Sequence, residues 1–193
     1  MMDKNECDEG LVVRAIGGDR AAFAALVSKH YDLIFRTAFK WCGGREDAED
    51  IAQDVCVRLG SSIRSWSGDS KFSTWLYRVV INAVRDAQRK NAASMRKLDA
   101  WAREPSRPDV QSAGSDPDEE AAAELWQAVR QLPPKPREAV TLVYGEGLNH
   151  AEAAGAMNCA EGTVSSHIHE AKKQLKILMG QQGESRMARE GAR

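Results

Sequence analysis

Residues 149–178 read NHAEAAGAMNCAEGTVSSHIHEAKKQLKIL, and the way this stretch breaks in its middle decides the fold. Asn158 falls where a left-handed backbone is needed, and asparagine replaces glycine there better than other side-chain-bearing residues. Ala154 stands where two helices would cross closely, so a larger side chain would push them apart. Cys159 is expected to plug the core as a small apolar group. Past the turn, Val164, Ile168, Ala171, Leu175 and Leu178 recur at spacings of three and four, the inner stripe of a second helix. This is the spacing of a helix-turn-helix.

The outer face of that second helix offers Thr163, Ser165, Ser166, His167 and His169, short polar groups suited to base edges or phosphates. Lys172, Lys173 and Lys176 follow with charge for a nucleic-acid backbone. Duplex DNA is the expected ligand; a three-helix packing domain without DNA contact is the alternative. Cys159, His167 and His169 suggest metal by type, but positions two apart on a helix point in different directions. No metal and no cofactor is expected.

Working outward, the upstream chain is helical by pattern. Phe23, Leu26, Val27, Tyr31, Ile34, Phe35 and Ala38 mark one helical face, and Gly43-Gly44 ends that helix. Ala48, Ile51, Ala52, Val55 and Leu59 mark a second, followed by loop chemistry at Gly60-Ser61-Ser62 and from Ser65 to Asp69. A third helix begins near Phe72, with Ser70 or Ser73 as N-cap, and turns Leu76, Val79, Val80, Ala83 and Val84 to the core. Trp75 and Tyr77 sit just ahead of the basic run Arg85, Arg89, Lys90, which admits either a core stripe beside a solvated helix end or a surface that handles unstacked bases. From Asp99 to Glu120 seven acidic residues face two arginines, and REPSRPDVQSAGSDPDEE holds three prolines, so residues 93–120 read as a flexible acidic linker. Leu125, Val129 and Leu132 open another helix that Pro133-Pro134 closes, and a further helix runs from Arg137 to Val143 until Gly145-Glu146-Gly147. The last 14 residues read as a frayed polar tail. No stretch alternates with period two, so the fold class is all-α, two small helical domains at 8–92 and 121–179.

Composition bounds function loosely. Hydrophobic residues at 42% suffice for packed cores, and the net charge of −1 hides local segregation that matters more than the total. No apolar run nears the roughly 20 residues that span a bilayer, and MMDKNECDEG lacks the apolar core of a secretory signal. A cytoplasmic chain without membrane insertion is therefore expected. Cys7, Cys42, Cys56 and Cys159 show no zinc-type spacing and read as reduced thiols. No nucleophile, base and orienting group converge in the pattern, so an enzyme is not expected.

LPPKPREAVTLVYGEGLNHAEAAGAMNCAEGTVSSHIHEAKKQL (132–175) resembles domain four of the bacterial RNA polymerase sigma factors. EDAEDIAQDVCVRL (46–59) and FSTWLYRVVINAVRDAQRK (72–90) resemble domain two, and the short chain without a middle domain is similar to the extracytoplasmic-function subfamily. The resemblance implies that the helix bearing Asp47, Glu49, Asp50, Gln53 and Asp54 docks on the β′ clamp helices of core RNA polymerase. Charge agrees, since five carboxylates oppose one arginine between Arg45 and Asp54. It further implies that the loop Trp66 to Lys71 accepts a base flipped from the −10 element, with Asn82 lining the pocket and Ser70 and Lys71 beside it. Arg78, Arg85, Arg89 and Lys90 would hold phosphates. Trp66 is the expected contact, and Trp75 is expected to be structural.

For the rear domain the resemblance implies −35 reading through Thr163, Ser165, Ser166, His167, His169, Glu170, Lys172 and Lys173. Contact with the polymerase β flap and control by an anti-sigma factor are likewise implied. One departure stands out: where the family commonly carries arginines near 167 and 170, this chain has His167 and Glu170, so the family's usual −35 motif is not carried over. A helix-turn-helix regulator that is not a polymerase subunit is the competing reading, and the acidic helix at 46–54 separates the two because such a regulator has no need of it.

Overall fold

The structure is a computed structural model that describes residues 7–98 and 117–190, with side chains described for 7–94 and 121–180. Every regular element among the described residues is helical: α1 (Asp8–Ile16), α2 (Arg20–Cys42), α3 (Arg45–Ser62), α4 (Phe72–Leu98), α5 (Pro117–Arg130), α6 (Pro134–Val140), α7 (His150–Met157) and α8 (Glu161–Glu190). A 3-10 turn covers Ile63–Ser65 and a π-helical turn Thr141–Gly145. The chain divides into two units.

In the first unit α2 is the central element, packed on α1, α3 and α4. Asp19 starts it by accepting the Ala21 and Ala22 N–H groups on Oδ1, and Gly43 ends it in the left-handed conformation at φ 80°. The buried stripe of α2 runs Ala22, Leu26, His30, Ile34, Thr37, Ala38 and Trp41. This departs from the sequence expectation, in which Phe23, Val27, Tyr31 and Phe35 shared the core face; these four lie at its margin or outside. The reason is that two polar residues hold core positions. Thr37 does so by donating to the Leu33 carbonyl at 2.8 Å, and His30 by meeting Asp8 of α1.

On α3 all five expected apolar residues, Ala48, Ile51, Ala52, Val55 and Leu59, are buried. The helix also continues through Gly60-Ser61-Ser62, where a loop was expected. Gly60 faces the Phe23 ring, and the Ile63 side chain that follows is buried, so the core draws the chain onward. On α4, Phe72, Trp75, Leu76, Tyr77, Val80, Ile81, Ala83 and Val84 are buried, and Val79 is half-buried. Trp75 is thus a core residue, as expected, and Tyr77 is one too. A fully buried leucine such as Leu59 or Leu76 contributes about 1.5–3 kcal/mol. Neither Ser70 nor Ser73 caps α4: Lys71 precedes its first turn, and the Lys71 carbonyl accepts Trp75 N–H at 3.2 Å.

The second unit packs α5, α6 and α7 against α8. Val129, Leu132, Val140 and Ala171 form its centre, with Trp126, Leu175 and Leu178 around them. Arg137 ties α6 to the end of α5, donating twice to the Leu132 carbonyl at 3.2 and 2.8 Å. Two expectations about chain ends change. The helix α4 runs on to Leu98 and α5 begins at Pro117, so of the segment expected to be a linker only 99–116 lies outside the described residues. The expected frayed tail is instead the last part of α8, helical to Glu190, because Glu, Arg, Met, Gln and Ala favour helix however polar they are.

Candidate nucleic-acid and polymerase interface

Residues step about 100° around a helix, which sorts the candidate side chains of α3. Asp47, Asp50 and Asp54, with Gln53 beside Asp50, lie together on the exposed side opposite the buried stripe. Glu49 does not join them; it sits on another flank, half-buried, and pairs with Arg45 at 2.8 Å. Val57, which the sequence reading passed over, stands 79% exposed one turn past Gln53 and Asp54. An apolar knob ringed by carboxylates is the make-up of an interface centre with a charged rim.

On α4, Arg78, Asn82, Arg85 and Arg89 recur at spacings of four, three and four, and Lys71 lies in line just before the first turn. They form a cationic stripe with one amide in it. Lys90 lies about a quarter-turn off that stripe. Trp66 is less available than expected. Its Nε1 donates to the Ser70 carbonyl at 3.0 Å, and its ring meets Phe72 edge-on, with centroids 5.9 Å apart. Phe72 in turn packs on Trp75 at 5.4 Å and on His30 at 5.2 Å. The loop 66–71 is therefore closed on itself over an aromatic cluster, with Gly68 at φ 85° making the reversal and the Ser70 and Lys71 side chains exposed.

The same cluster reaches α1. Asp8 Oδ1 lies 2.9 Å from Lys29 Nζ and 3.0 Å from His30 Nε2, the second contact being poorly aligned for a hydrogen bond. Burial pushes the Asp8 carboxyl up, but the close contacts with Lys29 and His30 outweigh it and hold the group below its ordinary range.

In the second unit, Asn149 and Glu152 start α7 by reciprocal side-chain to backbone bonds of 2.9 and 3.1 Å. Asn158 ends it at φ 53°, ψ 52°, the left-handed turn that the sequence required. Ala154 is buried at the α7–α8 crossing, but Cys159 is only half-buried, because the residue after the turn lies at the surface rather than in the core. Along α8, Ser166, His169 and Lys173 occupy the middle of the exposed face, Ser165 and Lys172 one flank, and Thr163 and Glu170 the other. His167 falls outside this set, half-buried beyond Thr163.

Two residues outside the candidate set shape the Ser165 flank. His150 Nδ1 lies 3.1 Å from Ser165 Oγ, and the Tyr144 ring lies under Lys172 Nζ at 5.3 Å. No sequence signal pointed to either, since each contact crosses between elements. Ser165 and Ser166 also donate back to the Glu161 and Gly162 carbonyls, and Glu170 accepts from Gln174 at 3.1 Å. Among the described residues no three His, Cys, Asp or Glu side chains converge as a metal site, and no helix is long and apolar enough to cross a membrane.

An all-helical unit with carboxylates on one helix and cations on the next, and a second unit holding a helix-turn-helix, define a modular nucleic-acid-binding protein. The sequence matches the Sigma-70 region 2 model over residues 26–94 and the Sigma-70, region 4 model over residues 122–175. It is similar to the RNA polymerase sigma-H factor of Pseudomonas aeruginosa, 30% identical over 188 residues that cover 88% of this chain and 92% of that one. It is also similar to the ECF RNA polymerase sigma factor SigW of Bacillus subtilis, 32% identical over 178 residues, 82% of this chain and 89% of that one. In fold it resembles the sigma factor RpoE in its co-crystal with the anti-sigma factor NepR from Bartonella quintana, with a TM-score of 0.65 at 22% identity over 82% of this chain and 96% of that chain. The chain belongs to the sigma-70 family, in its extracytoplasmic-function (ECF) branch of alternative sigma factors.

Proposed function

We propose that the first unit docks on core RNA polymerase through α3, with Asp47, Asp50, Gln53 and Asp54 as the charged rim and Val57 as the apolar anchor. The α4 stripe of Arg78, Asn82, Arg85 and Arg89, with Lys71, tracks the −10 strand, and the loop 66–71 opens to admit an unstacked base. The second unit reads the −35 element through Ser165, Ser166, His169, Thr163, Glu170, Lys172 and Lys173. The polypeptide is non-catalytic, acts in the cytoplasm, and is held in check by an anti-sigma partner, as the co-crystal of RpoE with the anti-sigma factor NepR suggests.

The observation that carries this reading is the opposition of charge inside one small unit. A carboxylate face on α3 suits a basic protein partner, and a cation stripe with an amide on α4 suits a phosphate backbone with a base to be read. Reconstitution with core polymerase tests it. Asn82→Ala is expected to impair use of −10 variants more than −35 variants in promoter-directed transcription. Equal losses at both elements would remove the pocket assignment.

A further inference from the structure

The docking helix and the DNA-facing helix are joined by a chain of four charges. Arg58 on α3 grips Asp54 with two nitrogens, Nε to Oδ1 at 3.1 Å and Nη2 to Oδ2 at 2.7 Å. Its remaining nitrogen, Nη1, reaches across to α4 and meets Asp86 Oδ2 at 3.3 Å. The other Asp86 oxygen, Oδ1, holds Arg89 Nη2 at 2.7 Å. Asp54 belongs to the rim proposed for polymerase, and Arg89 to the stripe proposed for DNA. Arg58 and Asp86 belong to neither and touch both.

Asp86 is an anion set among Arg85, Arg89 and Lys90, where a phosphate-binding helix gains nothing from negative charge. What it does is hold Arg89. How firmly depends on how much of its charge Arg58 neutralises, and that depends on how much of Arg58 is taken by Asp54. We propose that Arg58 and Asp86 are positioning residues that couple polymerase docking to −10 engagement, an inference that rests on the α3 and α4 assignments above. A basic group on the polymerase that engages Asp54 releases Arg58 toward Asp86. Asp86, satisfied by Arg58, then yields Arg89 to the DNA backbone. All four side chains are partly exposed, so each link is weak and screened, and the relay moves promoter opening by about two- to fivefold rather than switching it.

The test uses the full chain with saturating core polymerase and reads the rate of promoter opening from the fluorescence of an unpaired −10 base. Arg58→Gln leaves Asp86 to hold Arg89 alone and is expected to slow opening by about two- to fivefold. That loss must be absent when Arg89→Gln is already present, and adding Asp86→Asn must restore the opening rate; Asp86→Glu must restore less. Asp54→Asn is expected to weaken core polymerase binding by about two- to fivefold. Should Arg58→Gln fail to fold by circular dichroism, Arg58→Lys keeps the charge without the two-nitrogen grip and is expected to give part of the same loss. A loss that survives in the Asp86→Asn or Arg89→Gln background, or no change with Arg58→Gln, overturns the relay. If Arg89→Gln alone leaves opening unchanged, the −10 assignment of the stripe falls and the relay with it. If Asp54→Asn leaves core affinity unchanged, it is the docking assignment that falls. Both single effects present but merely additive with the others overturn the relay only.

Discussion

Asp50→Lys gives the sharpest reading of the docking face, because Asp50 is exposed and engages no ion pair among the described residues. The fold therefore has nothing to lose beyond the roughly 0.5 kcal/mol typical of surface changes. Binding has much to lose. With a partner cation about 6 Å away at an effective dielectric near 20, one unit-charge interaction is roughly 3 kcal/mol, and reversing the sign changes it by twice that. At physiological salt the Debye length of about 8 Å roughly halves the effect, leaving about 2.6 kcal/mol, or about 80-fold in affinity. At 1 M salt the screening length falls to about 3 Å and the same substitution should cost only about threefold. Fluorescence anisotropy of labelled chain titrated with core polymerase, at both salt concentrations, measures this directly, with thermal melting as the control on folding. Unchanged affinity at low salt would refute the assignment. An equal loss at both salts would show that shape, not charge, carries the contact.

Other expectations follow from single features. Asn158→Val should destabilise the second unit by about 1–2 kcal/mol in a thermal melt, because a β-branched residue resists the left-handed turn, whereas Asn158→Gly should be close to neutral. Asp8, whose carboxyl is held below its ordinary range, stabilises the attachment of α1 at neutral pH, and this contribution is lost as pH falls through the lowered value. The stability gap between the native chain and Asp8→Asn should thus be present at pH 7 and vanish well below about pH 4 in denaturant titrations. Burial pushes the Cys42 and Cys56 thiols up, with Asp47 adding to the effect at Cys42, so both should alkylate slowly at neutral pH while exposed Cys7 reacts quickly, as peptide mass mapping would show.

Periodicity was most readable where a helix is amphipathic and nothing polar enters its core. On α3 each of the five apolar residues picked from the pattern is buried. On α2 the same approach selects a stripe rotated from the true one, since His30 and Thr37 are buried by partners, Asp8 and the Leu33 carbonyl, that no hydropathy pattern records. The left-handed Asn158 was legible because a backbone requirement narrows the choice of residue. The extent of α8 was not, because its polar last turns show no hydropathy pattern although their residues favour helix. Within the candidate site, spacing placed Arg78, Asn82, Arg85 and Arg89 in line, but not Glu49, Lys90 or His167, which sequence proximity had grouped with their neighbours. The Arg58–Asp86 contact joins residues 28 positions apart. The two links that flank it, Asp54–Arg58 and Asp86–Arg89, lie four and three residues apart within one helix each and were available to a reader of the sequence.

The π-helical turn at Thr141–Gly145 closes with Glu146 N–H bonded to the Thr141 carbonyl at 2.9 Å, one residue wider than an ordinary helical turn. Such a widened turn accommodates one surplus residue and resets the angular phase of whatever comes next. Deleting a single residue here would shorten the path between Leu142 and Leu148, whose carbonyl and N–H are bonded at 3.0 Å, and would pull Leu148 off its buried seat. Chain length between Val140 and Leu148 is consequently under tighter constraint than the identity of the side chains that fill it.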